Sequence, residues 1–221
     1  MSQNYTYLDL VNGVLVRLRE DTVTSVSGSD DVVVELVKEF VNDAKQQVEN
    51  AHTWSALTEE WIFSTVIGEK KATLTDSSRS CILDYIYDSD GIKLDQASKE
   101  FVRKRSLSNG AATSTPEYWC VDSLDPATGN VRIHMVPTPD AVRTYTVYGY
   151  QSTAKLVNDG DICLVPGLAV IYMATALAAR ERGEVGGQSA GELLALAKQY
   201  LQDSIAMDAT NSDLENIWTT V

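Results

Sequence analysis

One pentapeptide of the chain has the spacing of a catalytic serine motif. Residues 187–191, Gly-Gln-Ser-Ala-Gly, match Gly-x-Ser-x-Gly, the nucleophile elbow of α/β-hydrolases. An elbow needs a strand before it and a histidine after it, but a helix is predicted before this one, and His52 and His134 both lie upstream. The same segment predicts a helix start, because Ser189 can cap the last helix and Glu192 completes a capping box. We therefore interpret Ser189 as structural.

A second candidate is a calcium-binding loop. Residues 88–91, Asp-Ser-Asp-Gly, supply two of the carboxylates that such a loop uses. The loop also needs an acid two residues earlier and a closing Glu, and these positions hold Ile86 and Ala97. The segment therefore predicts a turn, and no metal or other cofactor is expected. Carboxylates are plentiful enough for glycoside hydrolysis, but no motif singles out a pair.

The basic residues are concentrated in one cluster. Lys99, Arg103, Lys104 and Arg105 lie close together in sequence, next to Phe101. One interpretation is a solvated loop or strand edge, and the other is a contact with an acidic neighbouring subunit or with passing DNA. No aromatic platform for stacked bases accompanies the cluster, so sequence-specific recognition of nucleic acid is not predicted.

The segment 208–221 is polar except for four apolar side chains, Leu214, Ile217, Trp218 and Val221. Tryptophan is favoured as an anchor at protein interfaces. The segment either folds back onto its own helices or docks onto another protein. Burying one such side chain yields roughly 2–3 kcal/mol, which is too little for stable binding alone. If many copies of the chain were arranged in a ring, each would make the same contact, and the effective concentration of the linked sites would make the overall binding strong.

Composition narrows the function further. The 221 residues include 31 acidic and 18 basic ones, a formal net charge of −13. This argues against a protein that grips nucleic acid by neutralising phosphates, but not against a surface past which DNA slides. Three cysteines without a Cys-x-x-Cys pair predict reduced, buried thiols, Cys81, Cys120 and Cys163. No signal peptide is predicted, and the longest apolar stretch, 164–179, is too short to span a membrane.

Periodicity predicts helices at both ends of the sequence and strands between them. Apolar residues follow helical spacing over 5–19, 31–51, 166–180 and 190–207, and short β-branched or aromatic runs separated by turn signals fill the middle. The predicted fold class is α+β. The N- and C-terminal helices form one bundle, and an antiparallel β-sandwich or barrel-like region is inserted in it. The predicted divisions are 1–57, 58–150, 151–207 and a docking tail, 208–221.

The most ordered pattern lies between residues 131 and 166. A strand with alternating apolar residues ends at Pro137 and Pro139, which cannot donate ladder hydrogen bonds, and a tyrosine-rich strand follows. The two strands are expected to form a hairpin. Asp159 and Asp161 lie in the next loop, and Pro166 is placed where a helix begins.

This order resembles the head-to-tail adaptor proteins of tailed bacteriophages, the group related to tail tubular protein A. That family has a strand ending in Pro-x-Pro, a tyrosine-rich strand, a Leu- and Asp-rich loop and a proline that opens an Ala-rich helix. The corresponding residues here are Pro137 and Pro139, Tyr145 to Tyr150, Leu156 with Asp159 and Asp161, and Pro166 to Arg180. The similarity extends over nearly the whole chain.

The resemblance implies a structural protein of the virion neck, assembled in the host cytoplasm, and not an enzyme. It implies a dodecameric ring beneath the portal protein with a central channel for double-stranded DNA. The helical bundle and tail would dock onto the portal, and the β region would contact a downstream neck or tail protein, such as a nozzle or terminator. No membrane contact is implied. Two alternatives from other classes are a neck protein with cell-wall glycoside hydrolase activity and a fibre-type binding module.

Overall fold

The computed structural model of the protein describes residues 5–28, 31–108, 112–181 and 190–212. For residues 210–212 it describes the backbone only. These residues form two compact units. The helical unit comprises the described residues up to Leu57 and from Ser152 onward, and the β unit comprises Thr58–Gln151. The α+β class and the barrel-like strand region predicted from the sequence are both confirmed.

Five helices and eleven strands lie within the described residues. The helices are α1 (Tyr7–Arg17), α2 (Val32–Glu49), α3 (Lys99–Ser108), α4 (Gly167–Glu181) and α5 (Ala190–Ser212). The strands are β1 (Tyr5–Thr6), β2 (Thr58–Ser64), β3 (Lys71–Thr73), β4 (Ile82–Asp88), β5 (Lys93–Gln96), β6 (Thr113–Ser114), β7 (Tyr118–Leu124), β8 (Val131–Val136), β9 (Thr138–Pro139), β10 (Thr144–Tyr150) and β11 (Ile162–Cys163).

The first two helices begin at residues that satisfy their free N–H groups. Thr6 and Asp9 form a capping box at α1, in which the Asp9 amide donates to Thr6 Oγ1 and the Thr6 amide donates to Asp9 Oδ2. Asp31 caps α2, because its carboxylate accepts from the Val33 amide at 2.8 Å. Helix α5 continues to Ser212, beyond the end predicted at Met207.

Helix α4 lies in the core of the helical unit. Most of its residues are buried, which agrees with its nearly uniform apolar sequence. Trp54 is also buried, and its Nε1–H donates to the Val48 carbonyl at 2.8 Å. Among the described helices, none is both long enough and apolar enough to cross a membrane.

The β unit is built on one mixed, nearly closed sheet. The strand order is β2-β10-β4-β5-β7-β8-β3, and β5 pairs with β7 in parallel while the other neighbours pair antiparallel. The two edge strands, β2 and β3, are consecutive in the chain. The interior is filled by large apolar side chains, among them Trp119, Tyr145, Ile86, Ile133 and Met135.

The hairpin predicted from residues 131–150 is wrong. Strand β8 pairs with β3 and β7, whereas β10 pairs with β2 and β4. The segment between them does not turn back, because Thr138–Pro139 forms a short parallel pair with β6. Pro137 thus ends β8 as expected, but Pro139 lies in β9, and the chain continues to β10, which is not a neighbour of β8 in the sheet.

The basic cluster does not form the loop or strand edge of our first interpretation. Residues 99–108 form helix α3, whose Val102 and Ser106 are buried one turn apart. Lysine, arginine and leucine are strong helix formers, and Val102 packs against Cys120 and Val136 of the sheet. The segment contains so many charged residues that its few apolar ones do not show a helical spacing in the sequence.

Candidate interaction surfaces

A buried carboxylate in the β unit organises the basic helix. The Asp122 side chain is 4% exposed, and it accepts from Lys71 Nζ at 2.5 Å and from Arg103 Nη2 at 2.9 Å. Lys99 Nζ donates to the Asp122 carbonyl at 2.8 Å. The hydrogen bonds from Lys71 and Arg103 hold the pKa of the Asp122 carboxyl well below its usual range. Three cations from β3 and α3 are therefore fixed by one residue of β7.

Two further side chains of the β unit, Cys120 of β7 and His134 of β8, lie opposite each other on paired strands. His134 is opposite Cys120 on one side and Lys71 on the other. The His134 ring is buried and neither of its nitrogens has a hydrogen-bond partner within the described structure. Burial lowers the pKa of His134, an effect that the negative charge of Asp122 opposes. Burial also raises the pKa of the Cys120 thiol, so this thiol is protonated and unreactive at neutral pH.

The outer face of α3 remains open to solvent. Lys99, Glu100, Arg103, Lys104, Leu107 and Ser108 line an open groove there. Lys104 and Arg105 have no acidic partner within 4 Å in the described part of the chain, and Leu107 is 83% exposed. Thus two of the four predicted basic residues, Lys99 and Arg103, contact Asp122, while the other two face solvent.

A second exposed surface on the β unit is aromatic. Tyr85 and Tyr87 of β4 and Tyr148 of β10 contact one another with ring centroids 6.0 to 6.2 Å apart. Ile62, which is opposite Thr146 in the register of β2 and β10, is 64% exposed. Tyr85 is 39% exposed, whereas Tyr87 and Tyr148 are half-buried. Tyrosine is enriched at the surfaces by which proteins bind one another. We refer to these four side chains, Ile62, Tyr85, Tyr87 and Tyr148, as the tyrosine surface.

In the helical unit, the aspartates of the predicted motif have structural roles. The Asp159 carboxylate accepts from the Val26 amide at 2.7 Å and from Ser27, so it holds the loop after α1. The Asp161 carboxylate accepts from the amides of Val157 and Asn158 and closes its own loop. Hydrogen bonds to the charged forms lower the pKa of both carboxyls, with the side chain of Ser25 contributing most at Asp159 and the Val157 amide most at Asp161. Pro166 immediately precedes α4 and its carbonyl accepts from Val170, which agrees with the predicted helix start.

Three buried polar residues of α2 position the segment before that loop. Asn42 exchanges two hydrogen bonds with the Leu156 backbone, at 2.8 and 3.2 Å. Lys45 and Glu49 form an ion pair at 2.9 Å with side chains 3% and 1% exposed. The apolar pattern of α2 does not single out these three residues, because the polar residues of an amphipathic helix usually face solvent. Their spacing gave a signal, since Asn42 and Lys45 adjoin the apolar positions at which the helix was predicted to be buried.

Lys45 and Glu49 also bind the backbone of the same segment. Lys45 Nζ donates to the carbonyls of Thr153 and Ala154 at 3.1 and 3.0 Å. Glu49 Oε1 accepts from Thr153 Oγ1 at 2.7 Å. The polar groups of α2 thus satisfy backbone groups that would otherwise be buried without partners.

The end of α5 is fixed by one carboxylate. Asp208 accepts from Ser55 Oγ at 2.5 Å and from the Ser55 amide at 3.1 Å, and it lies 3.1 Å from His52 Nε2. The predicted docking residues, Leu214, Ile217, Trp218 and Val221, lie outside the described residues. The predicted capping residue Ser189 also lies outside them, while Glu192 lies in the first turn of α5.

These features define a class of protein before any comparison is made. The polar groups described above hold backbone segments in place, and the exposed groups form charged and aromatic surfaces. Within the described residues, no group of three His, Cys, Asp or Glu side chains could hold a metal ion, and Asp88 accepts from the amides of Asp90 and Ile92 as in an ordinary turn. The described residues thus combine polar groups that hold the backbone in place with exposed charged and aromatic side chains.

Comparison with protein families gives a more specific assignment. The chain matches the family model of the SU10 adaptor protein over residues 5–217. It therefore belongs to this family of phage head-to-tail adaptors, a structural family. Comparison with the curated proteins finds no match.

Proposed function

We propose that the protein is a structural adaptor of the phage neck that forms a ring under the portal and joins the capsid to the tail. The observation that carries this proposal is the family match over residues 5–217, which includes both units. The ring is dodecameric and surrounds a channel for double-stranded DNA. Assembly takes place in the host cytoplasm, and the finished ring resides in the virion neck.

The two units have different partners in this proposal. The helical unit docks onto the portal with the help of Leu214, Ile217, Trp218 and Val221. The β unit contacts the downstream neck or tail protein through the tyrosine surface, since aromatic side chains are enriched at protein interfaces.

The charge distribution supports a channel that does not retain the genome. The segments 1–57 and 152–221 contain 18 acidic and 8 basic residues, whereas Thr58–Gln151 contains 13 acidic and 10 basic ones. An acidic surface repels phosphates, so DNA passes without the release of counterions that makes binding tight. Lys104 and Arg105 are too few to reverse this balance.

The test is negative-stain imaging of the purified protein mixed with the portal of the same phage. Full-length protein is compared with a chain that stops after Ser212. Stopping there keeps Asp208 and its hydrogen bonds to Ser55, whereas a stop after Met207 would remove them and disturb the helical unit itself. The substitution Trp218→Ala in the full chain provides a matched variant with one side chain altered.

The expected result is a ring stacked on the portal with the full chain and a weaker complex with the chain ending at Ser212. A ring that forms equally well without residues 213–221 keeps the adaptor function and removes the docking role of the tail. No association with the portal at any salt concentration would contradict the proposed function.

A further inference from the structure

The inner face of α3 carries little apolar surface. Four residues at the spacing i, i+3, i+4 and i+7 form this face: Lys99, Val102, Arg103 and Ser106. Val102 is the apolar one, and it packs against Cys120 of β7 and Val136 of β8. A helix of 10 residues is marginal in water by itself, so α3 depends on its contacts with the sheet.

A few polar and aromatic contacts complete the attachment of α3 to β7. Arg103 donates to the Asp122 carboxylate, and Lys99 donates to the Asp122 carbonyl. Phe101 contacts the edge of the Tyr118 ring, with the centroids 5.2 Å apart, but it remains 43% exposed. The helix is thus held by side chains, and few of them are apolar.

His134 lies beneath this weakly attached helix. Ile133 and Met135 point into the interior of the sheet, so the His134 ring is on the outer face of β8, together with Val136. Within the described β unit, α3 is the helix that contacts this face. His134 is 7% exposed, and neither ring nitrogen has a hydrogen-bond partner there. Burying these nitrogens unpaired costs free energy, and water would remove that cost if it reached the ring.

The charged and titratable groups around the ring come from every element packed against it. They are Lys70 and Lys71 at the start of β3, Cys120 and Asp122 on β7, Lys99 and Arg103 on α3, and Arg132, paired with Asp125, on β8. Burial, and to a smaller extent the cations, lower the pKa of His134 against the opposing effect of Asp122. The Asp122 carboxylate already accepts from Lys71 and Arg103. A proton on His134 therefore adds positive charge to a buried site that is already rich in it.

We propose that α3 is a pH-sensitive cover of β7 and β8, which lies against these strands while His134 is neutral and moves away from them when the ring takes up a proton. Of the elements around the ring, α3 is the one that moves, because backbone ladders join β3, β7 and β8 whereas side chains alone hold α3. The sheet itself stays folded. We call this change the opening of α3, and it does not depend on the adaptor function proposed above.

Opening changes the surface that the β unit presents. The groove that includes Lys99, Arg103 and Leu107 exists only in the closed state, because Asp122 fixes two of its cations. In the open state, water reaches the His134 ring and the Cys120 thiol. The basic surface of the β unit is therefore ordered at neutral pH and lost in mild acid.

The size of the response follows from proton linkage. In the open state the His134 ring is in water and has a pKa of about 6.5, whereas in the closed state its pKa is lower. Opening therefore becomes more favourable below about pH 6.5, by up to about tenfold per pH unit until the pKa of the closed state is passed. Asp122 keeps its charge over this range, because hydrogen bonds from Lys71 and Arg103 hold its carboxyl pKa well below the usual range.

Hydrogen exchange of the full-length chain between pH 7 and pH 5, followed by mass spectrometry, tests the opening. Rates are corrected for the intrinsic pH dependence of amide exchange. Peptides from Lys99–Ser108 are expected to exchange faster than peptides from β4 and β10 at every pH, and to lose protection by up to about tenfold per pH unit below about pH 6.5. If α3 exchanged no faster than the strands, it would open only when the whole unit unfolds, and the proposal would be overturned.

The two histidines of the chain provide a matched pair of variants. His134→Gln is expected to abolish the pH dependence of exchange in α3, whereas His52→Gln makes the same change in the helical unit and should leave it intact. His134→Leu removes the unpaired nitrogens, so α3 should be protected at least as well as in the wild type at pH 7 and equally well at pH 5. A pH dependence that survives in both His134 variants would contradict the proposal.

A chemical probe reports on the same opening. Cys120 lies opposite His134 and is 3% exposed, so methyl methanethiosulfonate reaches its thiol when α3 is open. The rate at Cys120, divided by the rate of glutathione at the same pH, is expected to rise by up to about tenfold per pH unit below about pH 6.5. Mass spectrometry of the labelled peptides separates Cys120 from the other two cysteines. A ratio that is the same at pH 7 and pH 5 would show that α3 does not open.

Discussion

The two units of the protein bury charge in different ways. In the helical unit, Lys45 and Glu49 are both buried, with side chains 3% and 1% exposed. In the β unit, Asp122 is buried at 4%, but its partners Lys71 and Arg103 are 49% and 60% exposed. In the helical unit, both charged side chains form hydrogen bonds that hold the backbone of residues 153 and 154. The arrangement in the β unit fixes the inner side of a basic surface and leaves its outer side available to a partner.

The largest expected effect comes from breaking the closed pair in the helical unit. Lys45→Met leaves Glu49 buried without its cation and leaves the carbonyls of Thr153 and Ala154 without a donor. Removing one member of a buried ion pair costs about 3–5 kcal/mol of unfolding free energy. Denaturant unfolding of the purified variant measures this, with hydrogen exchange by mass spectrometry to show which unit opens.

A double variant supplies the control for that prediction. Lys45→Met combined with Glu49→Leu removes the unpaired charge and is expected to be more stable than Lys45→Met alone. It should not recover fully, because the two carbonyls still lack a donor. If the double variant were less stable than the single one, the buried pair would not be the source of the loss.

The next effect tests backbone packing in the two units. A Cβ at Gly149 would overlap the carbonyl oxygen of Ile82 at the bulge between β10 and β4. Gly149→Ala is therefore expected to destabilise the β unit by about 3 kcal/mol, since two strands must separate. Thermal unfolding measures the change.

The matched glycine is in the helical unit. A Cβ at Gly13 in α1 would meet Ile171 Cδ1 at 2.8 Å, which is the end of a flexible side chain. The helix propensity gained by alanine, about 1 kcal/mol, offsets the adjustment of Ile171. Gly13→Ala is thus expected to be nearly neutral. A loss of stability as large as that of Gly149→Ala would mean that the Ile171 side chain cannot move to make room for the added methyl group.

The ion pairs of Asp122 in the β unit are expected to contribute less to the free energy of unfolding than the buried Lys45–Glu49 pair of the helical unit. Asp122→Asn removes charge-assisted hydrogen bonds from Lys71 and Arg103 but leaves both cations in water, so the cost is about 2 kcal/mol at pH 7. Because the pKa of Asp122 is lowered by folding, its stabilisation is present above the unfolded-state pKa of about 3.9 and is lost as pH falls through the lower folded-state pKa. The difference in stability between the two proteins should therefore begin to shrink below about pH 4 and disappear only at still lower pH. A constant difference at all pH values would contradict the assigned ion pairs.

The smallest effect is a pH dependence that distinguishes the units. Burial lowers the pKa of His134, so below about pH 6.5 the unfolded chain takes up a proton more readily than the folded β unit does. The β unit is therefore expected to lose stability as the pH falls from about 7 to about 5.5. His134→Gln should remove this dependence. Hydrogen exchange of peptides from Thr58–Gln151 at both pH values checks it, and an equal loss in the variant would exclude His134 as the cause.

Local pattern predicted much of the fold. The helix that begins near residue 31, the apolar helix α4 and the strand at 131–136 were all identified from spacing. The partners of that strand were not, because alternation shows which face of a strand is buried and does not show which strand lies beside it. The hairpin error followed from treating neighbours in sequence as neighbours in the sheet.

The candidate surfaces were predicted less completely. The four basic residues of α3 were identified by charge, but Asp122, which fixes two of them, is a single acid in a strand and lies 19 residues from Arg103. Its role depends on the sheet bringing β3, β7 and α3 together. Lys45 and Glu49 could have been recognised from their places beside buried positions of α2, whereas their acceptors at residues 153 and 154 are more than 100 residues away.

The hydrogen bonds of Asp208 have a geometric consequence for the proposed docking. They hold the last turns of α5 against Ser55, so residues 213–221 start from a fixed point of the helical unit. The six residues from Ser212 to Trp218 extend to at most about 20 Å. The backbone of Trp218 must therefore lie inside a sphere of about that radius centred on Ser212, and a portal surface that is further away by more than the length of the indole side chain is beyond its reach.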